Sequence, residues 1–202
     1  MIKGIIFDLG GVLVDFHMDR DYYPYLEKLT GKSLDELKKV FETKYLVEFE
    51  KGLISYKEFR NFIKNELNIK ERDIKWVTFP GYKEKLKFID SMNELVDKLH
   101  NKYKIAVLSN IDAPRYKLFR PLIKSIHYDY LFLSFKLHMR KPEKEIYEYV
   151  LSKMKITKDE AIFIDDRKEN IEGAIACGID SILFTSKEAL LEELKKRNIE
   201  IS

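Results

Sequence analysis

The stretch that decides the fold is "IIFDLGGVLVDF", Ile5 to Phe16. An apolar run ends in a carboxylate, Asp8, and the chain then passes through Gly10 and Gly11. Ile and Phe in succession, without polar alternation, are how a strand covered on both faces reads. A carboxylate just past such a strand points to the rim of a sheet, although Asp8 taken alone reads equally as a turn residue or a helix cap. Gly10 raises a second question, because it places no side chain two residues beyond that carboxylate.

Outward from Ile2 to Phe7, four more runs have strand character: Lys104 to Leu108, Tyr130 to Leu133, Ala161 to Ile164 and Ser181 to Phe184. Helical patterns separate the later ones. "EKEIYEYVLSKM" aligns Ile146, Val150 and Met154 on one face, and "NIEGAIACG" ends on Gly178, a helix C-terminal glycine. Strand and helix in alternation predict an α/β fold with a doubly wound parallel sheet and a Rossmann-like core. Between Phe7 and Lys104, however, no run has strand character. There "SLDE" (Ser33, Glu36) and "SYKE" (Ser55, Glu58) match the capping box, and each opens an amphipathic helix. Leu34, Leu37 and Phe41 mark the apolar face of one, and Tyr56, Phe59 and Ile63 that of the other. A structureless loop of that length is implausible, so residues 16–84 are expected to form an inserted helical cap on a core of residues 1–15 and 85–202. "DSMNELVDKLH" is expected to return to the core as a helix.

The composition fits such a globular chain. Of 202 residues, 45% are hydrophobic and 35% charged, and 37 basic residues nearly balance 34 acidic ones. A balance so close, with both signs interspersed, argues against nucleic acid as a partner. One cysteine, Cys177, excludes an internal disulfide, and no Cys and His cluster has zinc-finger spacing. The apolar N-terminal run is too short for a signal peptide, and no run reaches membrane-spanning length. The expectation is a cytoplasmic protein, monomeric or homodimeric, without a membrane or nucleic-acid partner.

In an open parallel sheet, ligands gather at the carboxyl ends of the strands. Asp8 follows the first strand, Ser109 and Asn110 the second, Lys141 lies in the loop after the third, and Asp165 with Asp166 closes the fourth. Each has a plain alternative: a turn for "SN", a surface residue for Lys141 before Pro142, an N-cap for the acidic pair. Four strand ends on one rim are harder to dismiss than any one of them. Three crowded carboxylates resist ionisation unless a cation joins them, and magnesium, with its preference for hard oxygen ligands and phosphate, is the natural one. Lys141 adds a fixed positive charge, while the Ser109 hydroxyl and the amides of Gly10 and Gly11 are expected to donate to phosphate oxygens. Asp8 is then free to attack phosphorus.

These residues, in "FDLGGVLVD", "VLSN", "RKPE" and "FIDDRKENIEGA", resemble the four ordered motifs of the haloacid dehalogenase superfamily. The insert resembles its helical cap. Within the superfamily, "FDLGGVLVDF", "RKPEKEIYEYVL" and "DDRKENIEGA" are most similar to the bacterial alpha-D-glucose-1-phosphate phosphatase group. The resemblance implies a phosphatase acting on a small phosphorylated metabolite, with Asp8 as nucleophile and metal ligand. It makes the Gly10 carbonyl a second ligand and Asp166 a third, with Asp165 close by. Ser109, Asn110 and Lys141 are then expected to hold the transferring phosphoryl group, and Asn170 to order the acidic loop.

Most phosphatases of the superfamily carry a second Asp where Gly10 stands, to protonate the leaving oxygen. A positioned acid of that kind is worth about 10²- to 10⁴-fold. A sugar 1-phosphate, an aryl phosphate or an acyl phosphate needs it less, because its leaving group is more acidic. His138, where the family usually has glycine, and His17 are candidate substitutes, with Asp112 a third. In the cap, Tyr45, Phe49 and Trp76 are expected to be mostly packing residues, with one or two facing substrate, and Glu48 and Arg20 are candidates for sugar contact. Three rival readings remain. A hydrolytic dehalogenase is disfavoured by the acidic pair. A receiver domain is disfavoured by motif order. A weak or inactive member that binds a phosphorylated ligand or a protein partner is kept open by Gly10.

Overall fold

The computed structural model describes residues 1–70 and 86–201. Five parallel strands form one sheet: β1 (Gly4–Phe7), β2 (Lys104–Ser109), β3 (Tyr130–Leu133), β4 (Ala161–Asp165) and β5 (Asp180–Leu183), in the order β3-β2-β1-β4-β5. After β1 the chain steps outward through β2 and β3, then crosses to the other side of β1 to lay down β4 and β5. That reversal opens a crevice beyond the carboxyl ends of β1, β2 and β4. Register sets the rim. Phe7 pairs with Val107 and with Ile164, and Ser109 pairs with Leu133, so the residues that follow β1 emerge beside the ends of β2 and β4.

Both faces of the sheet are covered, which is why its strands are apolar throughout. Ile5, Phe7, Ile105, Val107 and Ile164 join one core with helix α5 (Met92–His100) and helix α10 (Lys187–Lys196). Ile6, Ala106, Leu108 and Phe163, alternate residues of the same strands, join a second with α8 (Lys144–Met154) and α9 (Lys168–Ala176). Past α9, Gly178 takes φ +78, and its amide donates to Ile175 O at 2.8 Å, closing the helix. The remaining core helices are α6 (Ala113–Ile123) and the short α7 (Ser134–Leu137).

Between β1 and β2 lie a π-helical turn (Met18–Tyr22) and helices α1 (Tyr23–Thr30), α2 (Leu34–Phe41), α3 (Lys44–Glu50) and α4 (Tyr56–Glu66). Both capping boxes form, Ser33 with Glu36 and Ser55 with Glu58. The apolar faces differ at one end from the sequence pattern. Leu37, Val40 and Phe41 are buried on α2, and Phe59 and Ile63 on α4, while Leu34 and Tyr56 are exposed. Each is the first residue of its helix, where the side chain overhangs the end of the packed face. The insert is joined to the core by two antiparallel segments: Asp15 N donates to Lys87 O at 2.8 Å and Ile89 N to Leu13 O at 3.0 Å. No helix among the described residues is long and apolar enough to cross a membrane.

Candidate active site

Asp8 leaves the end of β1 with its amide bonded to Ile164 O at 2.8 Å, which aims its side chain over the crevice. The group that meets it is Lys141, only 1% exposed. Its Nζ donates to Asp8 Oδ1 at 2.6 Å, to Asp165 Oδ2 at 2.6 Å and to Leu108 O at 2.9 Å. Those bonds use all three ammonium protons. Burial pulls the Lys141 pKa down, but the Asp165 and Asp8 carboxylates more than reverse this and hold the ammonium charged. For Asp8 the balance goes the other way. Burial raises its carboxyl, Lys141 opposes that, and the charges of Asp165 and Asp166 add to it, leaving the group at about 7.

The two acidic residues closing β4 have different tasks. Asp165 is fully buried; its Oδ1 accepts from Arg167 N at 2.9 Å, and Asn170 Nδ2 lies 3.0 Å from both carboxylate oxygens. Asn170 is itself anchored, its carbonyl accepting from Tyr147 Oη at 2.7 Å. Asp165 is therefore committed to protein donors. Asp166 is not: its Oδ1 is buried with no hydrogen-bond partner. Asp8, Asp165 and Asp166 each offer an oxygen within 4.8 Å of the others, an arrangement able to hold a metal ion. Gly11 makes room for it. At φ +84 it lies so close to Asp166 that a β-carbon would fall 2.5 Å from that residue's Cγ.

Several sequence expectations meet a different geometry. The Gly11 amide, expected to face phosphate, donates to Val14 O at 2.9 Å and is spent in the turn. Asn110 was expected to hold the phosphoryl group, but its side chain clamps the backbone of Lys141, Nδ2 to Lys141 O at 2.8 Å and Lys141 N to Oδ1 at 2.9 Å. It lines the cavity and positions the lysine. Ser109, buried at the end of β2, and Gly10 also line it. His138 does not. It occupies φ +57 just past α7, a conformation that favours glycine, and its Nδ1 lies 2.8 Å from Lys51 O. His17 does line the cavity, with Nδ1 3.5 Å from Asp166 Oδ2, and that carboxylate holds the imidazole above its ordinary range. Asp112 caps α6 and binds Arg115, so it is no free acid.

Above the carboxylates the cavity encloses about 560 Å³. Arg20 pairs with Asp15 and Asp21, Glu48 pairs with Lys44, and neither Arg20 nor Glu48 lines that space. Tyr45 stacks on Phe62 and Phe49 on Phe59, both as packing, and Trp76 lies outside the described residues. The aromatic side chains that do line it are Phe16, Tyr23, Phe41 and Phe119. A charge network with no counterpart among the sequence motifs lies beside them: Glu50 of α3 meets Arg115 Nη2 at 2.5 Å and Arg140 Nη2 at 3.1 Å, and Arg115 also pairs with Asp112. Its one local trace in the sequence is the Asp112 to Arg115 spacing at the start of α6.

Residues 2–178 match the haloacid dehalogenase-like hydrolase family. The chain is a haloacid dehalogenase-like hydrolase. Among curated relatives it is 28% identical over 184 residues to D-ribitol-5-phosphate phosphatase of Bacteroides thetaiotaomicron, covering 85% of this chain and 86% of that one. It is also 28% identical over 200 residues to a sesquiterpene phosphatase of Aspergillus oryzae, covering 96% and 95%. Among solved structures, a haloacid dehalogenase family enzyme of Bacteroides thetaiotaomicron in complex with magnesium and inorganic phosphate superposes with a TM-score of 0.76 at 26% identity, over 93% of this chain and 96% of that one. This hydrolase thus shares its fold and its family with phosphatases, while the relatives do not single out glucose 1-phosphate.

Proposed function

We propose that this chain is a magnesium-dependent phosphatase that hydrolyses a small phosphomonoester through an aspartyl-phosphate formed on Asp8. The observation that carries the reading is the Lys141 ammonium held between Asp8 and Asp165 beside the unpartnered Asp166 oxygen. The two phosphatases among its relatives support the same class. Residues 16–84 act as the cap on a catalytic core of residues 1–15 and 85–202.

The donor set suits magnesium. Asp8, Asp166 and the Gly10 carbonyl are hard oxygen ligands, and an orphaned buried carboxylate oxygen is a group that a cation satisfies. When bound, the ion supplies positive charge that keeps Asp8 ionised and offsets the charge developing on the phosphoryl oxygens. The chain's own residues do the rest. The Ser109 hydroxyl binds the phosphoryl group, the Lys141 ammonium stabilises it through its positive charge, and Asn110 fixes the lysine. The Asp8 carboxylate attacks phosphorus as the ester oxygen departs with the bonding electron pair. Water then attacks the aspartyl-phosphate, releasing inorganic phosphate and restoring the carboxylate. Asp165 and Asn170 are positioning residues that hold Lys141 and the acidic loop.

Gly10 supplies no proton to the leaving group, a deficit of about 10²- to 10⁴-fold. Esters with easy leaving groups are therefore favoured, and glucose 1-phosphate, the substrate implied by the sequence resemblance, is one of them. The test is phosphate release from glucose 1-phosphate and p-nitrophenyl phosphate with and without magnesium, using Asp8→Asn as the blank. Magnesium-dependent turnover lost in the variant supports the reading. Binding of magnesium and phosphate without turnover of either ester replaces it with a ligand-binding member of the family.

A further inference from the structure

The cavity walls restrict the alcohol half of the ester. Ile111 and Phe119 of the core and Phe16, Met18, Leu46 and Val47 of the insert line it, with the rings of Phe16 and Phe119 edge to face at 5.5 Å. Glu42, Lys44 and Arg167 also line the cavity but are exposed to solvent, whereas the less exposed polar side chains of the wall are already engaged. Glu50 is held by Arg115 and Arg140, Arg115 by Asp112, and the Thr43 hydroxyl donates to Val40 O at 3.0 Å. Two guanidinium groups against two carboxylates leave that network neutral, so it is no seat for a second anionic group. Arg140 Nε, buried without an acceptor, is one donor to spare. A sugar brought into this space gives up water at several hydroxyls and finds few partners, whereas an aromatic ring gains from every apolar contact.

The reacting end adds an independent restriction. Without an acid at position 10, the departing oxygen must carry its own negative charge. A phenolic oxygen, with a pKa of about 10, does so far better than an aliphatic alkoxide. We infer that the preferred substrates are phosphate monoesters of apolar aromatic alcohols, their ring against Phe16 and Phe119 and their phosphate at Lys141 and Ser109. The inference rests on the phosphatase reading above. In the transfer step the Asp8 oxygen–phosphorus bond forms, the phosphorus–aryl oxygen bond breaks, and the electron pair leaves with a phenolate that takes its proton from water.

The experiment compares kcat/KM, with magnesium, for 2-naphthyl phosphate, glucose 1-phosphate, ribitol 5-phosphate and acetyl phosphate, the last an easy leaving group with no ring. Naphthyl phosphate is expected to exceed both sugar esters by at least about tenfold, a factor that leaving-group chemistry and apolar burial both feed. Val47→Thr, which keeps the shape and adds a hydroxyl, is expected to lower the naphthyl-to-acetyl ratio several-fold. Sugar esters that match naphthyl phosphate while acetyl phosphate turns over overturn this inference and leave the phosphatase standing. No turnover of any ester, acetyl phosphate included, removes both.

Discussion

Lys141 and Arg115 are both buried cations facing two carboxylates, and both line one cavity. Lys141, at 1% exposure, is bound to Asp8 and Asp165 at the strand ends; Arg115, at 6%, binds Asp112 of the core and Glu50 of the insert. What separates them is the remaining charge. On the floor three carboxylates share one ammonium, which binds two of them, and Asp166 keeps an oxygen without a partner. On the wall Arg140 joins Arg115, so two guanidinium groups meet two carboxylates. The floor is short of positive charge and invites a cation with a phosphoryl group. The wall is balanced in charge, although Glu50 Oε2 and Arg140 Nε keep no hydrogen-bond partner; it ties insert to core and leaves recognition to its apolar neighbours.

Breaking each cation separately tests that contrast. Lys141→Met is expected to lower kcat/KM on every ester, acetyl phosphate included, by about 10³-fold or more, because a fixed positive charge beside the phosphoryl group is lost. It also strands Asp8 and Asp165 without their common partner, so urea unfolding is expected to show a loss of roughly 3–5 kcal/mol, which magnesium partly restores. Arg115→Met strands Asp112 and Glu50 and is expected to cost a similar 3–5 kcal/mol in the same measurement, with no rescue by magnesium. Its effect on acetyl phosphate turnover is expected to stay within about tenfold, since no reacting atom is touched. Equal loss of acetyl phosphate turnover in the two variants would erase the distinction between floor and wall.

The two sides were also unequally legible in the sequence. Asp8, Ser109 and Asp165 sit at the ends of apolar runs, so strand register alone carries them to one rim, and reading the runs was enough to find them. Partners were harder. Gly11 and Asn110 stand where the motif expects them, yet their polar groups are spent on Val14 and Lys141, a matter of turn geometry that spacing does not encode. In the insert, the capping boxes were plain because both halves lie within one helical turn. Glu50 and Arg115 are 65 residues apart, and nothing periodic links them. Phe16 and Phe119 meet only when the fold closes, and no local pattern links them.

The smallest effects come from two adjacent glycines and sharpen the account of the floor itself. A methyl group at Gly11 meets the Asp166 carboxylate and forces an L side chain to hold φ +84, so either the turn or the acidic side chain must move. A methyl group at Gly10 has Phe16 O at 3.6 Å and Phe16 Cδ1 at 3.8 Å as its nearest neighbours, ordinary contacts. Gly11→Ala is therefore expected to raise the magnesium concentration for half-maximal activity by about 10- to 100-fold, the range found when a metal ligand loses its support. Gly10→Ala is expected to change it by less than about twofold, as its contacts are undisturbed. Titration of magnesium against acetyl phosphate turnover reads both. If Gly10→Ala proves as damaging as Gly11→Ala, magnesium affinity does not depend on how closely Asp166 approaches the turn. If only Gly11→Ala is damaging, position 10 has room for a side chain, and its lack of a carboxylate is a chemical choice that steric need does not impose.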